Sequence, residues 1–245
     1  MKVTFLGNRG SVQLPDDLNS SLLISSATSS LLVDCSGNLP IAMDADIDDV
    51  VLTHEHIDHV YGVPSLIHQL WLTGRVKPLV FHTKGRTLEI LEQMLSMFSL
   101  REKKGMFPIE IHEISEFKVG NMKVIPFDTD HTPSSFGLTV IEGDRKIVYT
   151  SDTRPWKEDD IRDFMRNPDM LITETSGVHE EESILVGKGH QSGIDAANLA
   201  RMLNAEKLRI LHLPADTEKA ESILAETAGD FASTEIAKTR GVEEI

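Results

Sequence analysis

The stretch VVLTHEHIDHVYGV, Val50 to Val63, decides how the rest of the chain is read. A run of apolar and β-branched residues with the signature of a buried strand ends at Thr53 and passes at once into His54, His56, Asp58 and His59. On an extended segment residues i and i+2 point the same way, so His54 and His56 can grip one cation from the strand end. Asp58 and His59 lie past the bend and face a second position. Imidazole and carboxylate suit a borderline ion such as Zn²⁺, and also Mn²⁺ or Fe²⁺. Without thiolates in the motif, the usual sign of a closed structural zinc site is missing, and an open coordination position for water is expected.

Composition narrows the setting. The chain has 245 residues, 40% hydrophobic and 26% charged, which is the profile of a soluble globular protein with enough chain for a sizeable core. One domain over residues 1–245 is expected. No apolar run approaches the length of a membrane span, and the N-terminal MKVTFLGNRG lacks the basic-then-apolar build of a secretory signal, so a cytoplasmic protein is expected. Cys35 is the only cysteine, so an internal disulfide and a thiolate cage are excluded, and it reads as a small core residue. The formal net charge of −15 argues against a broad nucleic-acid footprint, although two divalent cations would offset about four charges at their site. The one basic cluster, Lys84, Arg86, Arg101, Lys103 and Lys104, reads as a solvated face.

Periodicity supplies the architecture. Lys2 to Leu6, Ser21 to Ser25, Ser30 to Asp34 and Asp49 to Thr53 read as strands, with turn-rich stretches at Leu14 to Asn19 and Ser36 to Pro40. Val60 to Leu72 and Thr87 to Leu100 have helical spacing around a strand at Pro78 to His82. The second half repeats this logic. Strands are expected over Ile109 to Ile114, Lys118 to Phe127, Phe136 to Glu142, Lys146 to Thr150, Met170 to Thr173 and Leu208 to Leu213, with helices over Ile161 to Arg166 and Ile194 to Leu203. The acidic stretch Ser176 to Gly189 has the least regular pattern and reads as a loop that could cover a cleft. Two halves with sheet inside and helices outside predict an α/β fold, a four-layer αβ/βα sandwich.

The HxHxDH pattern of residues 54–59 resembles the signature of the metallo-β-lactamase-fold hydrolases. FLGNRGSVQLPDDLNSSLLI and LLVDCSGN resemble the N-terminal segments of ribonuclease Z and its phosphodiesterase relatives. DHTPSSFGLTV, YTSDTRP and ILHLPAD resemble their later motifs, in the right order. The resemblance implies a two-metal site in which His54, His56 and His131 hold one ion, Asp58, His59 and His212 hold the other, and Asp152 bridges them. It also implies that His190, in GKGHQSG, assists departure of the leaving group. Two cations can lower the pKa of a shared water toward neutrality; Asp58 and Asp152 would orient the resulting nucleophile for in-line attack on phosphorus. The ions are expected to be zinc, with manganese or iron accepted by the same donors.

Ribonuclease Z proper carries a long arm between its counterparts of His131 and Asp152. Here that interval leaves room only for strands and a turn, so the arm that grips transfer RNA is absent. A small phosphodiester is favoured as substrate, with RNA still open. Hydrolysis of a carboxylic ester, lactone or thioester on the same site is the enzymatic alternative, and a non-catalytic metal-binding scaffold the alternative of another class. A homodimer is common among such proteins, and the residues themselves are silent on assembly. His68, His82, His112 and His179 read as structural or solvated, whereas Glu174, ending the strand in LITETS, could orient a metal-bound histidine from behind.

Overall fold

The computed structural model describes residues 1–36 and 39–245; Gly37 and Asn38, within the turn expected over Ser36 to Pro40, lie outside the described residues. The first half comprises β1 (Lys2–Gly7), β2 (Ser21–Ser25), β3 (Ser30–Val33), α1 (Leu39–Asp44), β4 (Asp49–Val51), α2 (Ile57–Val60), α3 (Val63–Leu72), β5 (Leu79–Thr83), α4 (Gly85–Met97) and β6 (Ile109–Glu113). The second comprises β7 (Phe117–Val119), β8 (Met122–Asp128), β9 (Phe136–Glu142), β10 (Arg145–Tyr149), β11 (Met170–Glu174), α5 (Glu182–Lys188), α6 (Gly193–Leu203), β12 (Leu208–Leu211), α7 (Thr217–Asp230) and β13 (Thr234–Ile236). β14 (Val242–Glu244) then returns to pair antiparallel with β1.

Two seven-stranded sheets result, ordered β14-β1-β2-β3-β4-β5-β6 and β13-β12-β11-β10-β9-β8-β7. Each starts as an antiparallel meander and continues as a parallel run, β3 to β6 in one and β10 to β13 in the other. Alternation along the strands assigns the layers. Leu22, Ile24, Leu31 and Val33 meet Leu138, Val140, Ile147 and Tyr149 between the sheets. Their sequence neighbours Leu23 and Leu32 turn outward onto α3, which contributes Val63, Leu66, Ile67 and Leu70, while Val148 turns outward onto Leu199 and Leu203 of α6. The four-layer sandwich is therefore observed. Among the described residues no helix is long and apolar enough to cross a membrane.

Several local expectations are corrected. The single strand expected over Lys118 to Phe127 is a hairpin, β7 and β8, turned at Gly120, whose φ of 56° suits a residue without Cβ. The helix expected over Ile161 to Arg166 is extended backbone around a 3₁₀ turn, Asp163–Met165; one apolar turn's worth of residues cannot sustain a helix against Pro168. The acidic stretch expected as a loop is a 3₁₀ turn, His179–Glu181, running into α5, whose Leu185 packs inward. The helix expected from Val60 starts earlier as α2 and restarts at Val63, because Pro64 sits at the start of α3 where its missing N–H costs nothing.

Strand ends carry the site. Asp34 after β3, Ser151 after β10 and His212 after β12 adopt φ values of 57°, 56° and 58°. Left-handed backbone at non-glycine residues costs on the order of 1–3 kcal/mol each and persists where surrounding structure enforces it. All three lie at the same end of the sandwich and turn the chain sharply, aiming Asp152 and His212 into one cleft.

Candidate metal centre

His54 and His56 leave the end of β4, Asp58 and His59 occupy the single turn of α2, and the others arrive from the ends of β8, β10 and β12. Three groupings are brought within coordination reach: His54, His56, His131 and Asp152; Asp58, His59 and His212; and Asp152, His190 and His212, each with one candidate ligand atom per residue inside 4.8 Å of the others. Asp152 is the hub. Its Oδ2 lies 3.7 Å from His54 Nε2, 3.6 Å from His59 Nε2, 3.7 Å from His131 Nε2 and 3.2 Å from His212 Nε2. On the other side, Asp58 Oδ2 lies 3.4 Å from His212 Nε2 and 4.0 Å from His59 Nε2. His131 Nε2 and His56 Nδ1 converge to 3.0 Å at the solvent side, where His56 is exposed.

Four of the rings are held from behind, which turns the other nitrogen of each toward the cluster. His59 Nδ1 donates to Asp34 at 2.7 Å, and His131 Nδ1 donates to the Gly189 carbonyl at 2.8 Å. His54 Nδ1 meets Thr53 Oγ1 at 3.2 Å and His212 Nδ1 meets Ser176 Oγ at 3.1 Å. Asp34, fully buried, is itself fixed by the Thr53 amide and hydroxyl and by Tyr149 Oη at 3.3 Å. Such contacts set tautomer and ring orientation.

The forward-facing atoms are left over. His54 Nε2, His59 Nε2, His212 Nε2 and Asp152 Oδ1 are buried without a hydrogen-bond partner. Four buried orphans around one point are costly unless something binds there. Electrostatics agree with a cation as that something. Burial pushes Asp152 and Asp58 toward protonation, but the adjacent imidazoles, His212 foremost, outweigh it and hold both carboxyls well below their ordinary range. Burial, with His59 beside it, pushes His54 well down, leaving it neutral. Against burial, Asp152 draws protons onto His59 and His212, the same pull a divalent ion would feel. The donor set therefore fits a pair of divalent cations.

His190 stands apart in character. Its Nδ1 donates to Glu174 Oε1 at 2.9 Å, and that buried carboxylate overcomes the effect of burial and pushes the imidazole up to about 9. Glu174 also accepts from the Thr153 amide through Oε1 and from Ser176 Oγ through Oε2, so it orients His190 directly and His212 through Ser176. A cleft of about 320 Å³ opens beside His190 and His212, walled by Val12, Ile184, Lys188 and Pro214.

All eight residues singled out from the sequence thus converge. Asp34 and Ser176 were missed as functional candidates. An acidic residue closing an apolar strand, LLVD, was the available signal for Asp34; nothing in the sequence marks Ser176. Glu55, inside the motif, points away and accepts from Thr132 Oγ1 at 3.1 Å, tying the His56 and His131 loops together. The four remaining histidines lie outside these groupings. His82 is buried against Asp49 at 2.6 Å and stacks on Phe117 at 3.7 Å, His68 lies beside Trp71, and His112 and His179 are exposed beside glutamates. The basic cluster is a charged face, with Arg86 on Glu89, Arg101 on Glu92 and Lys103 over the Trp71 ring.

Residues 31–213 match the Beta-lactamase superfamily domain. Among curated relatives, ribonuclease Z of Archaeoglobus fulgidus is 25% identical, covering 97% of this chain and 95% of its own, and that of Bradyrhizobium diazoefficiens is 26% identical, covering 96% of each. Among solved structures, the short form of human tRNase Z superposes with a TM-score of 0.81 at 20% identity, over 100% of this chain and 99% of its own. The metallo-beta-lactamase fold protein YhfI of Bacillus subtilis superposes with 0.78 at 23%, over 99% of each. A diphosphatase of the PhnP family gives 0.75 at 18%, over 100% and 97%.

Proposed function

The chain belongs to the beta-lactamase superfamily, and from that membership and the geometry of the cluster we propose that it is a metal-dependent phosphodiesterase. The carrying observation is Asp152 Oδ2 within 3.2 to 3.7 Å of four imidazoles whose own backs are hydrogen-bonded away. His54, His56 and His131 would hold one cation, Asp58, His59 and His212 a second, with Asp152 shared. Zinc is the proposed metal, since imidazole with carboxylate and no thiolate matches its open sites, and manganese or iron would be accepted by the same donors.

Bound there, two divalent cations supply Lewis acidity and bring the pKa of a water near neutrality. The chain's own residues do the rest. Asp58 would accept a hydrogen bond from the attacking water and so orient it. His190, held by Glu174 at the cleft wall, donates a proton to the departing oxygen or a hydrogen bond to the phosphoryl oxygens.

Relatives named ribonuclease Z and a diphosphatase neighbour support a phosphorus centre. The alignment with the Archaeoglobus protein runs to 297 positions against 245 residues here, so the relative carries insertions. Between His131 and Asp152 this chain has only the short β9–β10 hairpin, with no arm, and its net charge is −15; both favour a small phosphodiester over a folded RNA.

Zinc-loaded protein is expected to hydrolyse bis(p-nitrophenyl) phosphate and to spare lactones and thioesters. The reverse ranking would transfer the site to carboxyl chemistry, and inertness across the panel with full metal content would leave a scaffold. Asp152→Ala should lose both metal and turnover, whereas His190→Ala should keep its metal and lose turnover by about 10²- to 10⁴-fold. Equal metal loss in the two would contradict the division of roles.

A further inference from the structure

A second cavity, of about 670 Å³, adjoins the metal centre and takes no part in the chemistry above. It lies where the ends of β8 and β10 leave the outer face of the second sheet. Thr153 and Asp130, which line it, are the immediate neighbours of Asp152 and His131. Arg154 forms the partition. Its Nε donates to the Val186 carbonyl of α5, on the cleft side, and its Nη1 reaches Asp130 at 2.7 Å.

The lining is aromatic and cationic together. Phe127 packs edge-to-face on Trp156 with ring centres 5.6 Å apart, and Phe164 lies 6.3 Å from Phe127. Two polar atoms on these walls are unsatisfied: Trp156 Nε1 and Thr129 Oγ1 are buried and make no hydrogen bond, although Thr129 is only 9% exposed. A buried indole N–H without an acceptor is unusual, since such groups nearly always find a partner.

The charges do not cancel in practice. Asp130 is occupied by Arg154, Asp128 by Lys84, and Asp160 by the Lys157 amide at 3.1 Å. Among the described residues the Lys157 ammonium has no partner, and Arg162 makes one long contact, 3.4 Å to the Asp159 carbonyl. With Asp128 and Asp130 paired to Lys84 and Arg154, the lining leaves two cations, Lys157 and Arg162, against one carboxylate, Asp160, whose hydrogen bond to an amide leaves its charge in place.

We infer that this cavity is a subsite for the nucleobase of a nucleotidyl phosphodiester. A flat ring with acceptor atoms satisfies what the walls offer: π faces to stack on, an indole N–H and a hydroxyl to bond, and two cations at the mouth for the phosphates flanking a base. Its volume falls within the range of small-molecule sites. The assignment rests on the phosphodiesterase reading, and it names the substrate class. A diester whose scissile phosphate lies on the metals would reach the cavity past Arg154.

The test uses Trp156 as its own reporter. The chain has two tryptophans, so zinc-loaded Trp71→Phe protein, excited where tyrosine does not absorb, leaves Trp156 as the only indole emitter. Adenosine 5′-monophosphate and adenosine should quench it, and ribose 5-phosphate should not. Phe164→Ala should weaken the monophosphate by about tenfold, the usual cost of a lost stacking ring. Arg162→Ala, at an exposed position that does not threaten folding, should weaken the monophosphate and lower its salt dependence. In turnover, selectivity for the p-nitrophenyl ester of thymidine 5′-phosphate over methyl p-nitrophenyl phosphate should fall by a similar factor in both variants. No quenching at millimolar nucleotide, ribose 5-phosphate quenching as well as the nucleotide, or unchanged selectivity in both variants would overturn the subsite. Quenching without hydrolysis of either ester would overturn the phosphodiesterase reading instead, whereas hydrolysis without quenching would overturn the subsite alone.

Discussion

At the scale of single residues, Asp34 shows how much of the centre lies behind the donors. It touches no substrate-facing space, yet it accepts from His59, Thr53 and Tyr149 at once. Asp34→Ala should lower zinc affinity by about 10- to 100-fold in a competition titration, because His59 loses the contact that fixes its tautomer; unchanged affinity would reduce Asp34 to a backbone brace. Its neighbour Cys35 has the opposite character. Burial, reinforced by the Asp34 carboxylate, pushes the thiol far above its ordinary range, so it stays protonated at any working pH. Native protein should therefore resist an aromatic disulfide reagent and react stoichiometrically once unfolded. Rapid labelling of folded protein would contradict the burial at Cys35.

At the scale of elements, helix starts locate the loops that carry the candidate site. Ser192 caps α6: its hydroxyl accepts from the Asp195 amide, while Asp195 returns a bond to the Ser192 amide at 3.0 Å. The preceding Gln191 donates to Thr173 Oγ1 and the Glu174 carbonyl, which clamps the His190 loop onto β11. Ser192→Ala should cost about 1 kcal/mol in denaturant unfolding. Gly62 opens α3 where the helix crosses the end of β3, and a Cβ there would lie 2.5 Å from the Cys35 carbonyl oxygen. Gly62→Ala should cost about 2 kcal/mol as α3 is forced off the sheet. Element type was legible in the long periodic runs, α3, α4 and α6, whose apolar stripes are read from spacing alone. The hairpin at Gly120 and the helices α5 and α7 were not: the first two are short and draw their stability from neighbours that the local sequence does not contain, and α7, though 14 residues long, buries only Ala220, Ile223 and Thr227 and so shows little apolar stripe.

At the scale of the whole molecule, the two sheets converge on one cleft, and the cluster there is a concentration of charge and imidazole that folding alone does not satisfy. Removing bound metal should therefore be felt throughout. At a thousandfold excess over Kd a ligand of the native state adds about 4 kcal/mol. For a chain of this size that corresponds to roughly 10 °C in Tm, so a chelator should lower the melting temperature by that order and added zinc should restore it. A melting temperature indifferent to chelation would mean that the orphaned His54, His59 and His212 nitrogens are satisfied some other way.

Taken by itself, the sequence determined the layering of sheets and helices and marked the candidate donors of residues 54–59, while His131, Asp152 and His212 entered through a family resemblance. Alternation and helical stripes are local consequences of burying one face of an element, and crowding of His54, His56, Asp58 and His59 past a buried strand is visible without any fold. Only the tertiary structure decided that one Asp152 oxygen lies within 3.7 Å of four imidazoles, that Glu174 serves His190 directly and His212 through Ser176, and that an aromatic cavity stands next door. Those relations join residues far apart in the chain. Their geometry is set by sheet register and by the left-handed turns at Asp34, Ser151 and His212, which no local periodicity encodes.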